Sequence, residues 1–436
     1  MVNTAMLIYL ITGSEVYGAG GDSRYIRELA SYLSSAGFCI KIISRMGRFT
    51  SINSENLTAI KIGNINRKKL REHDSSSLYF MLSHLPNPLT TILGTLMLVR
   101  DIKNERNSKK IIHIHDATSS LLIAFVISKI FNIPFLVQIH GFPIKEQQIK
   151  LTRENSLLND FVWFLTRTWH IIAIRLMKRC VMLLVNNKEV KSFYEACGIP
   201  SEKLEVVPSA VNLIEFTRHL LSENKARKCL GFPSLKNTID IGFVGDLKPE
   251  KNAETLVKAF GKLIRDIPEL KARLIIIGDG PMRLILEEHI KEHGINGCVF
   301  FLGYIPDAYR FLNAIDIFVL PSLSEGCPLA LLEAMACGKA IIASDIPAIR
   351  EIVEDGKEAL LFDPFSSDQL KEAILKLYHN SELRRELGEN AKMKARRYDI
   401  NVVFPKIVKA YQEVLRNKIL NKNNTCTCQS EGCLTR

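Results

Sequence analysis

The 436-residue sequence lacks the features that assign many proteins to a class at once. Residues 1–12 carry no basic region and no small-residue cleavage site, so we expect a first β-strand there and no secretion signal. No complete GxGxxG or P-loop motif is present, which leaves a nicotinamide site and a P-loop nucleotide site without support. Only two tryptophans occur, without interleaved basic and aromatic residues, which argues against nucleic-acid binding.

No apolar stretch is both long and uninterrupted enough to predict a membrane-spanning helix. The two candidates are 89–99, which is short, and 161–177, which contains Arg167, His170 and Arg175. The second is amphipathic and holds both tryptophans beside basic residues. This pattern leaves two interpretations open, a buried helix and a helix that lies on a membrane surface.

The charge balance is basic, with 58 Lys and Arg against 46 Asp and Glu, a net charge of +12. Because the excess is spread along the chain, it fits phosphorylated ligands or an anionic membrane surface. Several of the ten cysteines, such as Cys39, Cys180 and Cys337, lie in apolar segments, which favours reduced core residues of a cytosolic protein. The cysteines at 426–433 lack the paired spacing of a zinc site, so we expect no metal there.

Strand-like apolar runs alternate with helical patterns along the whole chain, which predicts an α/β protein with parallel sheets. The predicted strands are 6–12, 39–44, 111–114, 135–139, 181–185 and 204–207, and then 239–244, 273–277, 299–302, 315–320, 339–343 and 359–362. A polar stretch at 222–238 predicts a linker between the two sets. We expect doubly wound domains at 1–222 and 237–400, a C-terminal helix at 401–420 and a disordered tail at 421–436.

The most informative segment is 324–338, SEGCPLALLEAMACG, in which two glutamates stand eight residues apart. It follows the apolar run at 315–320, which predicts a buried strand. Glu325 should therefore lie in the crevice beyond a strand's carboxyl end, where open parallel sheets bind ligands. Pro328 suits the first position of a short helix, and Gly338 suits the position just after its end.

The start of this helix should present free backbone amides around Cys327, Leu329 and Ala330. Such amides lie at the positive end of the helix dipole and form a site for phosphate. Glu333 lies further along the same helix and can also reach that site. Solvated surface glutamates are the simpler explanation for Glu325 and Glu333, but a sugar attached to a diphosphate carries both the charge and the hydroxyls that this arrangement would bind.

Glycines recur where predicted strands end. Gly20 and Gly21 follow the first strand, Gly245 follows the first strand of the second set, and Gly278 and Gly280 follow the next. A glycine-rich turn between a strand and a helix lets the backbone approach a phosphate closely. Each turn taken singly favours loop geometry over a binding site.

With these segments in order, the chain resembles glycosyltransferase family 4, whose members have the GT-B fold of two facing Rossmann-like domains. The resemblance covers about residues 8–415 and is strongest over 239–364, where segment 324–338 is similar to the E-x7-E signature of the family. Supporting segments are FVG at 243–245 with PEKN at 249–252, IGDGP at 277–281, FLGY at 301–304, the Gly20-Gly21 turn, HIHD at 113–116, IHG at 139–141 and VP at 207–208.

The resemblance implies a role for each charged residue of the motif. Glu325 matches the glutamate that contacts the hydroxyls of the donor sugar, and Glu333 matches the one that binds the nucleotide ribose. A carboxylate can accept two hydroxyl hydrogens at once, as a ribose diol requires. Lys251 matches the lysine that pairs with the diphosphate, where a cation stabilises the charge that builds on the leaving group.

Further donor-binding residues follow from the same resemblance. Gly20, Gly21, Gly245 and the amides after Gly326 would contact the phosphates. His140 would line the donor-sugar pocket. The loop at Gly303 and Tyr304 would hold the base, largely by backbone contacts.

Two positions depart from the family pattern. Asp246 follows Gly245 where the family usually has an arginine, and a carboxylate there would repel a diphosphate. Ser209-Ala210 replace the usual Asn-Gly after Val207-Pro208, which would weaken a local turn.

The resemblance implies a cytoplasmic, retaining hexosyltransferase that uses a nucleoside-diphosphate sugar and needs no metal or other cofactor. The acceptor hydroxyl would belong to a glycan, a lipid-linked sugar or a polysaccharide precursor. The basic, apolar helices of the first half favour peripheral association with the inner face of a membrane. Two alternatives are a sugar-nucleotide epimerase or hydrolase, and an inactive homologue that acts as a binding or scaffold subunit, which Asp246 favours.

Overall fold

We describe the protein from a computed structural model. The residues that it describes are 6–15, 21–46, 57–61, 88–105, 109–115, 119–141, 157–231 and 238–430. They form two α/β units, each built on one parallel β-sheet. The predicted fold class, two doubly wound units, is therefore confirmed.

Seven strands form the first sheet, namely β1 (Met6–Glu15), β2 (Cys39–Met46), β3 (Leu57–Lys61), β4 (Lys109–Ile114), β5 (Phe135–Ile139), β6 (Met182–Val185) and β7 (Leu204–Val206). They are parallel and lie in the order β3-β2-β1-β4-β5-β6-β7. All five residues of β5 are buried, as expected for a strand that is covered on both faces. The sequence analysis missed β3, because its five residues, LTAIK, form no sustained apolar run.

Helices cover both faces of this sheet. On one face lies α1 (Gly21–Ser35), and on the other lie α2 (Pro88–Asn104), α3 (Ser119–Phe131), α4 (Leu157–Met177) and α5 (Lys188–Ala196). Helix α4 buries Trp169, which is 8% exposed, but leaves Phe164 61% exposed. Of the two interpretations, the buried helix holds for one face of α4, while the opposite face exposes apolar side chains.

Six strands form the second sheet, namely β8 (Ile239–Val244), β9 (Ala272–Ile277), β10 (Val299–Gly303), β11 (Ile317–Leu320), β12 (Ala340–Ser344) and β13 (Leu360–Phe362). They are parallel, in the order β10-β9-β8-β11-β12-β13. The helices of this unit are α6 (Leu213–His219), α7 (Glu223–Cys229), α8 (Ala253–Asp266), α9 (Arg283–Glu292), α10 (Leu329–Ala336), α11 (Pro347–Arg350), α12 (Ser367–His379) and α13 (Ser381–Ala395). Helices α8, α9 and α12 pack on one face of the sheet, and α10 and α11 on the other.

The last helix, α14 (Ile400–Ser430), returns to the first unit, as predicted. Phe404 packs edge-on against Tyr25 of α1, with ring centroids 5.4 Å apart, and Tyr411 is fully buried. The predicted disordered tail at 421–436 is corrected in part, because α14 continues to Ser430. No proline or glycine follows Pro405 until residue 432, so nothing in the sequence ends the helix earlier.

The predicted linker at 222–238 is also corrected, because α7 lies within it. Arg227 of α7 is 4% exposed and forms an ion pair with Asp240, which is fully buried at the start of β8. Arg273 completes this group, since its Nε lies 2.6 Å from Asp240 Oδ1. Buried charges need such partners, and these fix α7 to the second unit.

Candidate active site

The strand order of each sheet reverses beside its first strand, between β1 and β4 in one sheet and between β8 and β11 in the other. Such reversal points leave a crevice at the carboxyl ends of the strands, where open α/β sheets bind ligands. Gly21 and His115 follow β1 and β4, and Lys251 and Glu325 follow β8 and β11. The topology thus brings the predicted site residues to two facing edges.

The two-glutamate segment connects β11 to α10, as predicted. All four residues of β11 are buried. Helix α10 begins at Leu329 with Pro328 as its N-cap, one residue later than predicted, because Pro328 is extended at ψ 118°. Gly338, with φ 68°, follows the C-cap Cys337 as predicted, in a left-handed conformation that glycine adopts without steric cost.

Glu325 and Lys251 are adjacent, although 74 residues separate them in the chain. Lys251 Nζ lies 2.7 Å from Oε1 and 2.9 Å from Oε2 of Glu325, and Ser322 Oγ donates to Oε1 at 2.7 Å. Glu325 is only 6% exposed, so these partners stabilise its buried charge. The pair places a cation and a hydroxyl acceptor side by side.

Asn252 holds the loops that carry this pair together. It follows Lys251 with φ 52°, a left-handed conformation that asparagine tolerates better than most residues. Its Nδ2 donates to the carbonyl oxygens of Pro321 at 3.0 Å and Pro364 at 2.9 Å. The loops after β8, β11 and β13 are therefore joined by one buried side chain.

Glu333, only 7% exposed, forms an ion pair with Arg24 of α1 in the first unit. The guanidinium carbon of Arg24 also lies 4.1 Å from the ring centroid of Tyr309. Burial raises the pKa of Glu333 to about 7, against the lowering effect of Arg24, and nearby Asp307 raises it further. The second motif glutamate thus changes charge near neutral pH.

Asp246, the residue expected to repel a diphosphate, forms an ion pair with Lys248 of its own loop. Its Oδ2 lies 2.7 Å from Lys248 Nζ. Burial opposes the charge on Lys248, but the neighbouring Asp246 carboxylate raises the pKa of that ammonium group above its ordinary value. The pair neutralises the carboxylate locally.

The glycines at the ends of β8, β9 and β10 pack against one another. A Cβ on Gly278 would overlap the carbonyl oxygen of Gly245, and Gly278 N donates to the carbonyl oxygen of Gly303 at 2.8 Å. Close backbone packing therefore explains Gly278. Gly303 has φ 66° and directs the chain into Tyr304, whose side chain is half exposed.

On the facing edge, His140 follows β5 and contacts His115. His140 Nε2 lies 2.9 Å from His115 Nδ1. The Nδ1 of His113 lies 2.7 Å from the hydroxyl of Tyr411 in α14. Burial lowers the pKa of His113 to about 3 and the pKa of His115 well below its ordinary value, so both imidazoles are neutral.

Two asparagines after β6, which the sequence analysis did not identify, contact the two-glutamate segment. Asn187 caps α5 and donates from Nδ2 to the Gly326 carbonyl oxygen at 2.8 Å. Asn186 is 4% exposed, and neither its Oδ1 nor its Nδ2 has a partner among the described residues. Because buried amides are normally hydrogen-bonded, Asn186 can bind a polar ligand.

We use the term seam for the contact that Gly21 and Asn187 of the first unit form with Leu329 and Gly326 of the second. A Cβ on Gly21 would lie 3.3 Å from Leu329 Cδ1, so the N-termini of α1 and α10 are adjacent. The amides of Leu329 and Ala330 belong to the first turn of α10, where amides have no acceptor within the helix. The backbone amides that were predicted to bind phosphate therefore lie at the seam.

Ser209 and Cys327 form a further contact across the seam. Burial raises the pKa of Cys327 to about 12, against the lowering effect of hydrogen bonds with Ser209. Ala210 is 3% exposed and belongs to the core of the first sheet. The Ser209-Ala210 departure thus retains a contact with the motif. Gly20, the remaining predicted donor-binding glycine, lies outside the described residues.

Two family models match the chain, one in each half. The model described as Glycosyltransferase Family 4 matches residues 19–215, and the model described as Glycosyl transferases group 1 matches residues 230–394. The chain belongs to glycosyltransferase family 4. As a group 1 glycosyltransferase, it transfers a sugar from a nucleotide sugar.

Relatives with named activities match this family 4 protein over most of its length. It is 26% identical to D-inositol 3-phosphate glycosyltransferase of Corynebacterium jeikeium, over 91% of this chain and 92% of the relative. It is 26% identical to UDP-Gal:alpha-D-GlcNAc-diphosphoundecaprenol alpha-1,3-galactosyltransferase of Escherichia coli, over 66% of this chain and 73% of the relative.

Solved structures establish the GT-B fold of this family 4 protein. Sucrose-phosphate synthase from Thermosynechococcus elongatus superposes with a TM-score of 0.74 at 20% identity, over 94% of this chain and all of that one. HepE from Anabaena, in complex with UDP-glucose, superposes with a TM-score of 0.69 at 18% identity, with the same coverage.

Two features are not found among the described residues. Among them, no group of three or more His, Cys, Asp or Glu side chains is placed to hold a metal ion. Within the same ranges, no helix combines the length and the apolar character that crossing a membrane requires.

Proposed function

We propose that this glycosyltransferase transfers a hexose, with retention of configuration, from a nucleoside-diphosphate sugar to an acceptor hydroxyl. The observation that carries the proposal is the Lys251–Glu325 pair beside the N-terminus of α10, with Glu333 on the same helix. The printed names of relatives, with UDP-glucose bound to HepE and UDP-Gal used by the Escherichia coli enzyme, support a hexose donor.

Each charged residue then has one role. Glu325 accepts hydrogen bonds from the hydroxyls of the donor sugar, and Glu333 accepts them from the ribose diol. Lys251 and the amides of Leu329 and Ala330 take the charge of the diphosphate, which grows as the bond to the sugar breaks.

Neighbouring residues complete the donor site. Gly21 and Gly245 contact the phosphates by their backbone, and His140 lines the sugar pocket, oriented by its contact with His115. Gly20, outside the described residues, stays a prediction. The loop at Gly303 and Tyr304 holds the base.

The reaction breaks the bond between the sugar C1 and the diphosphate oxygen and forms one between C1 and the acceptor oxygen. We propose that the acceptor attacks from the face that the diphosphate leaves, and that its proton passes to the departing phosphate. No side chain then serves as nucleophile. Because Lys251 and the helix amides supply the positive charge, turnover should persist in the presence of EDTA.

A binding screen tests the donor assignment. Calorimetry with UDP-, GDP-, ADP- and TDP-sugars should find one nucleotide that binds, and Glu333→Ala should weaken it about tenfold or more, the effect of losing hydrogen bonds to a charged group. Glu354→Ala, which removes an exposed glutamate paired with Lys357, is the matched control. Unchanged binding and turnover in Glu333→Ala would overturn the assignment.

Product analysis separates the alternatives. Product should form only when an acceptor is present. NMR should show that the transferred sugar keeps the anomeric configuration that it had in the donor. Sugar release or epimerisation without an acceptor would instead identify a hydrolase or an epimerase. The structure weakens the case for an inactive homologue, because Lys248 neutralises the Asp246 carboxylate on which that alternative rested.

We also propose that the acceptor lies at the inner, cytoplasmic face of a membrane. Helices α2, α3 and α4 lie next to one another on one face of the first sheet and expose large apolar side chains. They include Ile92, Leu96, Ile130, Phe164 and Ile171, with the exposed basic residues Arg100, Lys129 and Arg167 on the same helices. Apolar side chains beside basic ones suit an anionic bilayer surface.

Vesicle co-sedimentation tests this surface. The protein should sediment with vesicles that contain anionic lipid, and Phe164→Glu should reduce the bound fraction. Leu284→Glu, at a residue of α9 that is 71% exposed, is the matched control in the second unit. Equal sedimentation of all three proteins would show that the patch does not bind lipid.

A further inference from the structure

Three ion pairs lie at the facing edges. Two of them, Lys251–Glu325 and Lys248–Asp246, join residues of the second unit, whereas Arg24–Glu333 crosses between the units. Each pair joins one cation to one carboxylate. A diphosphate brings further negative charge, and a cation that exchanges its carboxylate for the ligand adds a contact to those of Lys251 and the helix amides.

Arg24 is placed for such an exchange. It lies one turn after Gly21, at the end of α1 that abuts the start of α10. Long side chains on a helix lean toward its N-terminus, and one turn spans about 5.4 Å. The Arg24 side chain thus lies beside the end of α1 that abuts the start of α10, and its guanidinium contacts Glu333 in the second turn of that helix. The Tyr309 ring supports its flat face in the present position.

We propose that Arg24 is a further donor-binding residue, which leaves Glu333 for the diphosphate when a nucleotide binds. The proposal rests on the proposed function, which assigns the Glu333 carboxylate to the ribose. The ribose diol then takes the place of the guanidinium on Glu333, and the guanidinium forms a bidentate contact with phosphate oxygens. Arg24 thereby links recognition of the ribose to recognition of the diphosphate.

The test compares nucleotides that differ by one phosphate. Calorimetry measures the affinity for each of UDP, GDP and ADP and for the corresponding monophosphate. The proteins compared are the wild type, Arg24→Ala, Arg24→Lys and the double variant Arg24→Ala/Asp246→Arg. Arg24→Ala should reduce the preference for the diphosphate about tenfold, as expected for a lost charge-assisted contact. Arg24→Lys should retain part of the preference for the diphosphate. In the double variant, Asp246→Arg should restore part of that preference, because it places an arginine on the edge of the second unit. Arg218→Ala, at an exposed arginine of α6, should change nothing.

The other results are distinguishable. If Arg24→Ala weakened the monophosphate and the diphosphate equally, or changed neither, Arg24 would serve only to join the two units and the proposal would be wrong. A wild type that prefers the diphosphate would then still support the proposed function. If the wild type bound none of these nucleotides, the proposed function would fail together with this inference.

Discussion

The two edges of the crevice differ in the kind of polar group that they present. The edge of the second unit carries ion pairs, with Lys251 on Glu325 and Lys248 on Asp246. The edge of the first unit carries neutral groups, the imidazole of His115 and the carboxamide of Asn186, each with a buried atom that has no partner among the described residues. Arg24 brings a charge from the first unit into contact with the motif glutamate Glu333.

This difference matches the two parts of a nucleotide sugar. A diphosphate is charged, and paired cations are available to it at little desolvation cost, because they are already partly buried. The hydroxyls of the sugar and of the acceptor substrate are neutral. Neutral side chains can distinguish them by hydrogen bonds without the cost of desolvating a charge. We therefore expect the second unit to supply most of the affinity and the first unit to supply specificity.

The largest expected effect tests the ionic edge. Lys251→Ala should lower kcat about 10²–10³-fold, which is typical for removal of one preorganised group that stabilises developing charge. It should also lower the free energy of unfolding by about 1–3 kcal/mol, because Glu325 is left buried without its cation. Steady-state kinetics and chemical denaturation measure the two effects.

The double variant Lys251→Met/Glu325→Gln separates these effects. It removes both charges together, so its stability should return toward the wild-type value while its activity stays lost. Restored activity would show that the ion pair is structural only. Lys357→Ala, at an exposed lysine of the same unit, is the control.

The next effect tests the contact between the edges. Gly326→Ala places a Cβ against the Asn186 side chain and should cost about 1–3 kcal/mol of stability, with a loss of activity, because the seam must open to accommodate it. Gly297→Ala, where no atom lies within 4 Å of the added carbon, is the matched control. Equal activity of both variants would show that catalysis does not require the seam.

A smaller effect tests the neutral edge, where two neighbouring asparagines should have opposite effects on activity and stability. Asn186→Ala should lower kcat/KM about tenfold with little change in stability, because its amide has no partner to lose among the described residues. Asn187→Ala should cost about 1 kcal/mol of stability, because it removes the cap of α5. If Asn186→Ala were the less stable but the more active of the two, the role of Asn186 in ligand binding would be excluded.

The smallest effect concerns pH. Between the ordinary pKa of Glu333, 4.5, and its value of about 7 in the folded protein, the folded state holds a proton that the unfolded state has released. This group's contribution to the free energy of unfolding therefore falls as pH rises through that interval. Ionised Glu333 also accepts the ribose diol better, so donor KM should fall as pH rises through about 7.

Glu333→Gln should remove the pH dependence of both the free energy of unfolding and the donor KM. Chemical denaturation and steady-state kinetics at several pH values measure the two. His113 and His115 stay neutral over this range, since burial lowers the pKa of each. A KM profile that kept its inflection in Glu333→Gln would assign the titration to another group.

The sequence predicted the ionic edge well because its signals are local. The spacing of Glu325 and Glu333 lies within one loop and helix, and Pro328 and Gly338 mark the bounds of that helix to within one residue. Lys251 stands directly after a strand and a short turn. Short apolar runs between helical patterns likewise located twelve of the thirteen strands that the structure describes.

The asparagines of the neutral edge were missed because their role depends on contacts between distant segments. Asn186 and Asn187 look like an ordinary helix cap until Gly326, 139 residues away from Asn187, is placed against them. Arg24 is one of two arginines on the amphipathic helix α1, and its partner Glu333 is 309 residues away. The α7 helix was mistaken for a linker for the same reason, since Asp240 of β8 holds its Arg227.

The return of α14 to the first unit has a consequence for synthesis on the ribosome. The core formed by Ile8, Leu10 and Tyr25 is completed by Phe404 and Tyr411, which are translated nearly 400 residues later. Domains made first usually fold first, but here the second unit can bury its own core while one face of the first sheet stays open. The unit that begins the chain is therefore the last to close, and a ribosome that stalls before α14 leaves an incomplete protein with an exposed apolar face.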